Sequence, residues 1–229
     1  MAFLDRRDAG RQLATLLQST VGWQPDPRRD RPGEPPGEPP VVTGMARGGV
    51  PVAFEIARVF EAPLDVVVVR KLGHPRQPEL GLGAIAEGGV LVVNDALVQQ
   101  LGVTEDVIGA VAAQQETELE RRLHVYRGDR PPVPVGGRTV IVVDDGLATG
   151  FTARAAIEVM RRRSAARVVL AVPVGPPGAV AALREVADDV VCVEMTESFF
   201  GLSEWYEDFR QVSDDEVAQL LAAAALGSW

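Results

Sequence analysis

The sequence predicts an α/β protein: a parallel sheet of about five strands with helices on both faces. Three observations carry that expectation. Short apolar runs rich in valine recur along the chain and read as continuous rather than alternating, as strands buried on both faces do. Helix-like amphipathic stretches separate them. Nothing in the chain repeats at the period of a solenoid or propeller.

The elements follow in order. Residues 5–20, DRRDAGRQLATLLQST, set Ala9, Leu13, Leu16 and Leu17 on one helical face. Residues 24–40 are crowded with proline, glycine and charge and read as an exposed loop that forms no packed element. VVTGMA from 41 is a first buried strand, RGG a turn, and VPVAFEIARVFE a helix. LDVVVVRK (64–71) is read as a second buried strand, and GHPRQPELGLGA (73–84) as a long polar loop. AIAEGGVLVVN predicts a hairpin turning at Gly88-Gly89. Residues 104–128 form the longest helix, with Thr104 as N-cap. GRTVIVVDD, RVVLAVPV and DVVCVEM complete the strands; FTARAAIEVMRRR and PPGAVAALREVA are helices between them, the latter opening near Pro176-Pro177. A last helix covers roughly 213–225. The whole of 1–229 is expected to form one domain.

Composition excludes several classes. A net charge of −9 leaves no broad basic face for a nucleic-acid backbone, so any polyanion must be held by a few local donors. The only cysteine, Cys192, cannot make an internal disulfide and reads as a small core residue of a reducing compartment. AFLDRRDAGR follows Met1 with charges where a signal peptide needs an apolar stretch, and no apolar run is long enough to span a bilayer, so a cytoplasmic location is expected.

Ligands of such sheets bind at the carboxyl ends of the strands, so the loops after 46, 71, 145 and 194 are expected to share one rim. The most informative is VIVVDDGLATGFT (140–152). Gly146 and Gly150 allow tight turns, and consecutive N–H groups, two threonine hydroxyls and a helix N-terminus follow, a combination that binds phosphate. Two carboxylates would repel that phosphate, so Asp144 and Asp145 must serve another part of the same ligand: sugar hydroxyls, or a metal ion. A phosphate at one end and a diol at the other describe a ribose 5-phosphate.

VIVVDDGLATGFT resembles the phosphoribosyl-diphosphate (PRPP) signature of type I phosphoribosyltransferases, with one departure: Gly146 stands where many members carry an aliphatic residue. The resemblance implies that family's fold, with a flexible loop and a small hood. It also implies that Asp144 and Asp145 hold the ribose hydroxyls and that Ala148, Thr149, Gly150, Phe151 and Thr152 hold the 5-phosphate. Arg47-Gly48-Gly49 resembles the family's pyrophosphate loop, offering a guanidinium and unshielded glycine N–H groups. Arg70-Lys71, leading into 73–84, resembles the start of the loop that closes over PRPP and excludes water. The chain-long layout, with DRRDAG, RGGVPVA, RKLGHPRQPELGLGAIAEGG and WYEDF, resembles a group of stand-alone bacterial phosphoribosyltransferase-like proteins, among which the 24–40 insert looks peculiar to this chain.

On that resemblance the expected reaction moves phosphoribosyl from PRPP to a nitrogenous, aromatic, small-molecule acceptor with release of pyrophosphate. Arg47, Lys71, Asp144 and Asp145 act at the reacting groups, and Mg²⁺ is held by Asp144 and Asp145, mainly through PRPP and water. Ala148 occupies the position where hypoxanthine-type members carry an aspartate, which turns the expectation away from hypoxanthine and guanine; adenine-type members also have alanine there. The hood is expected over 195–210, where Phe199, Phe200, Trp205 and Tyr206 stack on a planar acceptor or pack the hood onto the sheet. A non-catalytic PRPP- or nucleotide-binding regulator on the same fold is the alternative; the retained Arg47, Lys71 and 73–84 favour the enzyme. A homodimer is left open. Gly81-Leu-Gly83-Ala-Ile-Ala86 fits a dinucleotide pattern but neither follows a predicted strand nor opens a helix, and His124 reads as a surface residue.

Overall fold

The computed structural model describes residues 2–21, 38–197 and 201–229. Residues 24–37 of the proline-rich stretch, and Phe199 and Phe200 of the hood, lie outside them.

The centre is a five-stranded, wholly parallel sheet. Its strands are β1 (Val41–Met45), β2 (Leu64–Val67), β6 (Thr139–Val143), β7 (Arg167–Gly175) and β8 (Asp189–Met195), in the order β2-β1-β6-β7-β8. Alternate residues feed two cores, as a period of two requires. Val42, Val66, Ile141, Val143 and Val169 face α1 (Arg6–Val21), α2 (Gly49–Phe60) and α7 (Asp214–Ala225). Val41, Val67, Val140, Val142 and Leu170 face α5 (Phe151–Arg162) and α6 (Pro177–Leu183). Five strands with both faces covered is the architecture the valine runs predicted.

Two readings are corrected. The apolar run from 64 to 71 is not one strand. β2 ends at Val67, where Met45 of β1 is its partner; Val69 onward forms β3 (Val69–His74) of a separate antiparallel sheet. Residues 73–84 are not an open loop either. Most of them form β4 (Gln77–Ala86), which folds back on β3 with His74 opposite Gln77. β5 (Val90–Val93) completes this three-stranded sheet beyond the expected turn, where Gly88 and Gly89 both take positive φ. One face of it, Val69, Ala84, Ala86 and Val90, joins the core under α5. The other, Leu72, Leu82 and Ile85, packs on α3 (Asp95–Leu101) and the start of α4 (Glu105–Arg127). The short α3 went unread in the sequence; Asn94 caps it, accepting from Leu97 N–H at 3.2 Å. α6 is shorter than expected, stopping at Leu183. Thr104 is the N-cap residue of α4, but its side chain makes no capping bond. Cys192 is half-buried at the edge of the core, and His124 is exposed. No helix among the described residues is long and apolar enough to cross a membrane.

Candidate active site

The chain leaves β1 toward β2 on one side, and β6 leads to β7 on the other, so the connections diverge between neighbours β1 and β6. A crevice opens at the carboxyl ends of strands where that happens. The loop 46–48 and the segment 144–150 both sit there.

They pack directly on each other. A Cβ on Gly48 would lie 2.0 Å from Asp145 Oδ2, and one on Gly49 would lie 2.4 Å from the Val143 carbonyl oxygen. The glycines of RGG are therefore demanded by the fit of this loop against the end of β6, a reason the sequence did not show. The Ala46–Arg47 peptide is cis. The N–H groups of Gly48 and Gly49 meet no acceptor among the described residues.

Past β6 the chain turns at Gly146, whose φ of +155° and lack of a side chain accommodate Leu202 and Val174; a Cβ would lie 2.0 Å from Leu202 Cδ2. This accounts for the glycine where an aliphatic residue was expected. Leu147 is buried and donates its N–H to Val174 O at 2.8 Å, fixing the base of the loop. Ala148 and Thr149 stand exposed. Gly150 is the N-cap of α5 in the left-handed region (φ +80°), where it offers no side-chain cap. Among the described residues no acceptor meets the N–H groups of Ala148, Thr149, Gly150, Phe151 or Thr152. An uncapped helix N-terminus preceded by free amides has the donors to receive an anion.

The two aspartates differ in their surroundings. Asp145 is buried and bound on several sides: Arg6 Nε donates to its Oδ2 at 2.8 Å, and Tyr206 OH donates to its carbonyl oxygen at 2.7 Å. Asp144 is half-buried, and its Oδ1 accepts from Asp145 N–H at 2.9 Å. Burial, with the neighbouring Asp145 carboxylate, pushes the Asp144 carboxyl well above the usual range. Arg6 relieves only part of that load.

The positive groups gather to one side. Arg47 Nη1 lies 3.7 Å from Asp214 Oδ1 at the start of α7. Asp214 also accepts from Tyr126 OH at 2.7 Å and Arg121 Nη2 at 3.0 Å, contacts that hold its carboxyl below the usual range. Arg70 donates to Gln115 Oε1 at 3.0 Å; partial burial and the like charges of Arg122 and Arg47 lower its affinity for the proton, against Glu118. Arg47, Arg70 and Arg122 are thus electrostatic neighbours in a cluster that also holds Asp214 and Glu118, whose Oε1 accepts from Arg122 Nε at 2.8 Å. Lys71 is exposed and donates to Glu79 O at 2.9 Å within its own hairpin. Beside it a space of about 440 Å³ opens between the hairpin and α4, lined by Arg70, Lys71, His74, Val111, Gln114 and Gln115.

The 205–210 segment is tied to the N-terminus. Phe3 N–H donates to Trp205 O at 3.0 Å, and Glu207 N–H to Phe3 O at 3.0 Å. Tyr206 is buried between Phe3 and Phe209, with centroids 5.4 and 5.1 Å away. Of the two expected roles its ring takes the packing one and is not presented to an acceptor. Trp205 is half-buried against the same cluster, and its indole N–H has no acceptor among the described residues. The sequence reading missed Arg6, Arg122 and Asp214. Arg6 was within reach, because it stands in the DRRDAG opening that carried part of the resemblance; Arg122 lies in a run of helix charges that a solvated face would explain equally well.

Comparison with known proteins identifies the family. The profile of the phosphoribosyl transferase domain matches residues 30–209. A Mycobacterium tuberculosis (strain ATCC 25618 / H37Rv) protein named as a candidate phosphoribosyl transferase, Rv0571c, is 47% identical over 222 residues, covering 97% of this chain and 47% of its own. The chain thus spans about half the length of the curated relatives it matches first. A uracil phosphoribosyltransferase of Lactobacillus gasseri is 31% identical over 151 residues, 62% of this chain and 68% of that one. The crystal structure of TT1426 from Thermus thermophilus superposes with a TM-score of 0.76 at 39% identity, covering 96% of this chain and 98% of the other. With the profile matching most of its length and the strand-end site built as described, this chain belongs to the phosphoribosyl transferase domain family.

Proposed function

We propose that the chain is a phosphoribosyltransferase that moves the 5-phosphoribosyl group from PRPP to a nitrogenous, aromatic acceptor and releases pyrophosphate. The observation that carries this reading is the row of free amides from Ala148 to Thr152, placed next to an acidic pair on which a second loop with free glycine amides packs. Amides without acceptors receive the 5-phosphate; the half-exposed Asp144 accepts from the ribose hydroxyls; Gly48, Gly49 and Arg47 face the leaving diphosphate. Departure of that group leaves positive character on the sugar and negative charge on the diphosphate. The basic cluster of Arg47, Arg70 and Arg122 answers the second. Lys71 acts only on release from Glu79 O, which it now holds within the β3–β4 hairpin.

Mg²⁺ fits this set in a limited way. Among the described residues no three His, Cys, Asp or Glu side chains gather into a metal cage. Asp144 is nevertheless a carboxylate short of positive charge, raised by burial and by Asp145. Asp144, backed by Asp145, would hold the ion through water while the diphosphate supplies most ligands, and the ion would neutralise the leaving group.

The acceptor side rests on Trp205 and the surrounding 201–209 segment, and the uracil enzyme among the relatives puts pyrimidines beside adenine as the bases to try first. The test is diphosphate release from PRPP with Mg²⁺ across a panel of purines, pyrimidines and aromatic amines. Release that depends on one acceptor, and is lost in Asp144→Asn, supports the reading. PRPP binding without release from any acceptor would turn it into a binding protein, and no PRPP binding would end it.

A further inference from the structure

The Arg6 side chain reaches from the first turn of α1 into the site although no reaction requires it there. Its guanidinium makes three kinds of contact at once. Nε donates to Asp145 Oδ2 at 2.8 Å; Nη1 donates to the Arg210 carbonyl oxygen at 2.8 Å; and the plane lies over the Phe209 ring, 4.0 Å from its centroid, with the Tyr206 ring 5.9 Å away. Arg6 is itself buried. Tyr206, from the same 205–210 segment, donates its hydroxyl to Asp145 O. Asp145 is thus gripped by its carboxylate and its carbonyl, and both grips lead to the 205–210 segment.

We propose that Arg6 is a positioning residue: it joins the acidic pair to the 205–210 segment, so that the sugar-binding acids and the acceptor-facing wall move as one body. The proposal rests on the reading of 144–152 as the donor site. Arginine suits the part because its planar fork serves two acceptors and stacks on a ring simultaneously, whereas an ammonium serves one direction well. Gly48 adds a constraint. Asp145 has no free room on the side of the 46–48 loop, so a carboxylate released by Arg6 swings toward Asp144 or into the crevice.

The experiment compares wild type with Arg6→Met, Arg6→Lys and the remote control Arg163→Met, whose guanidinium binds Val133 O at 2.6 Å far from the crevice. Mg²⁺·PRPP affinity is measured by calorimetry, and backbone hydrogen exchange is followed without ligand. Outer partners of metal-holding groups commonly contribute 10–100-fold, and by that measure Arg6→Met is expected to weaken Mg²⁺·PRPP about tenfold or more, with Arg6→Lys between it and wild type. Exchange should rise in 201–212 and 144–149 together in Arg6→Met. Arg163→Met should lower the melting temperature, leave PRPP affinity within about twofold, and spare those two segments. If Arg6→Met loses thermal stability but keeps affinity and does not loosen the two segments together, Arg6 is merely structural and the proposal is overturned. If wild type binds no PRPP while exchange still rises in both segments, the donor-site reading falls and the mechanical coupling stands.

Discussion

At the scale of single residues, Asp144 is where stability and function pull apart. Its carboxyl is raised by burial and by Asp145, so the folded state favours the protonated acid. A raised folded value means a stabilising contribution that is fully present below the unfolded value of about 3.9 and is lost as the pH rises through the folded value. Asp144→Asn removes that loss. The variant is expected to melt higher than wild type, with a gain that is larger at pH 8 than at pH 5, and to bind Mg²⁺·PRPP at least about tenfold more weakly, the equivalent of roughly 1.4 kcal/mol. Melting curves at the two pH values with a calorimetric titration check both. An equal or lower melting temperature at pH 8 would show that the charge is compensated in the fold. Gly48 makes a complementary case. A methyl group there would stand 2.0 Å from Asp145 Oδ2, so Gly48→Ala must displace either the carboxylate or the loop. Overpacking of this kind costs about 1–3 kcal/mol, to be read as a lower urea midpoint at unchanged slope.

At the scale of elements, the parallel sheet was legible because its strands are buried on both faces and therefore read as unbroken valine runs. The same property hid the boundary at Val68. A run apolar at every position gives no sign of leaving one sheet for another, and only the switch from parallel pairing with β1 to antiparallel pairing with β4 marks the break. β4 was missed for the opposite reason. Its first residues, Gln77 to Glu79, are exposed and carry Pro78, and glycines follow, so the strand has the composition of a loop. The candidate site divides similarly. Asp144, Asp145 and the amide row were legible because a local pattern encodes them. Arg6 and Arg122 come from helices distant in sequence, and their convergence is tertiary. One such tertiary clamp joins the two sheets. Arg127, at the end of α4, donates through Nε to Asp65 Oδ1 of β2 at 3.0 Å and through Nη1 to Glu87 at the β4–β5 turn, and Asp65 also accepts from Val133 N–H. Arg127→Met would leave two buried carboxylates facing each other without their cation. The expected cost is about 3–5 kcal/mol in urea unfolding. A loss below about 1 kcal/mol would mean that Arg163, whose Nη1 lies 3.7 Å from Glu87, takes over the charge.

At the scale of the whole molecule, the proposed function requires a chain of net charge −9 to attract a small, highly charged anion. Long-range attraction cannot come from net charge, which repels. On the proposed function it comes from Arg47, Arg70 and Arg122; burial first, and then the like charges of Arg122 and Arg47, lower the proton affinity of Arg70. An anion entering between them relieves that repulsion as well as gaining its own contacts, so the cluster is worth more with ligand than without it. Two consequences can be measured together. Screening shortens the reach of charge from about 10 Å at 0.1 M salt to about 3 Å at 1 M, so Mg²⁺·PRPP affinity should fall steadily as salt is raised across that range. Arg122→Gln should weaken binding about tenfold, in the range of a charge-assisted hydrogen bond, and should also flatten the salt dependence. Substituting an exposed arginine outside the cluster, Arg162→Gln, should change neither, because Arg162 ends α5 at the opposite end from the 148–152 loop. If Arg122→Gln left affinity and salt slope untouched, the basic cluster would be serving α4 and α7 rather than the diphosphate, and attraction would fall to Arg47 and the loop amides alone.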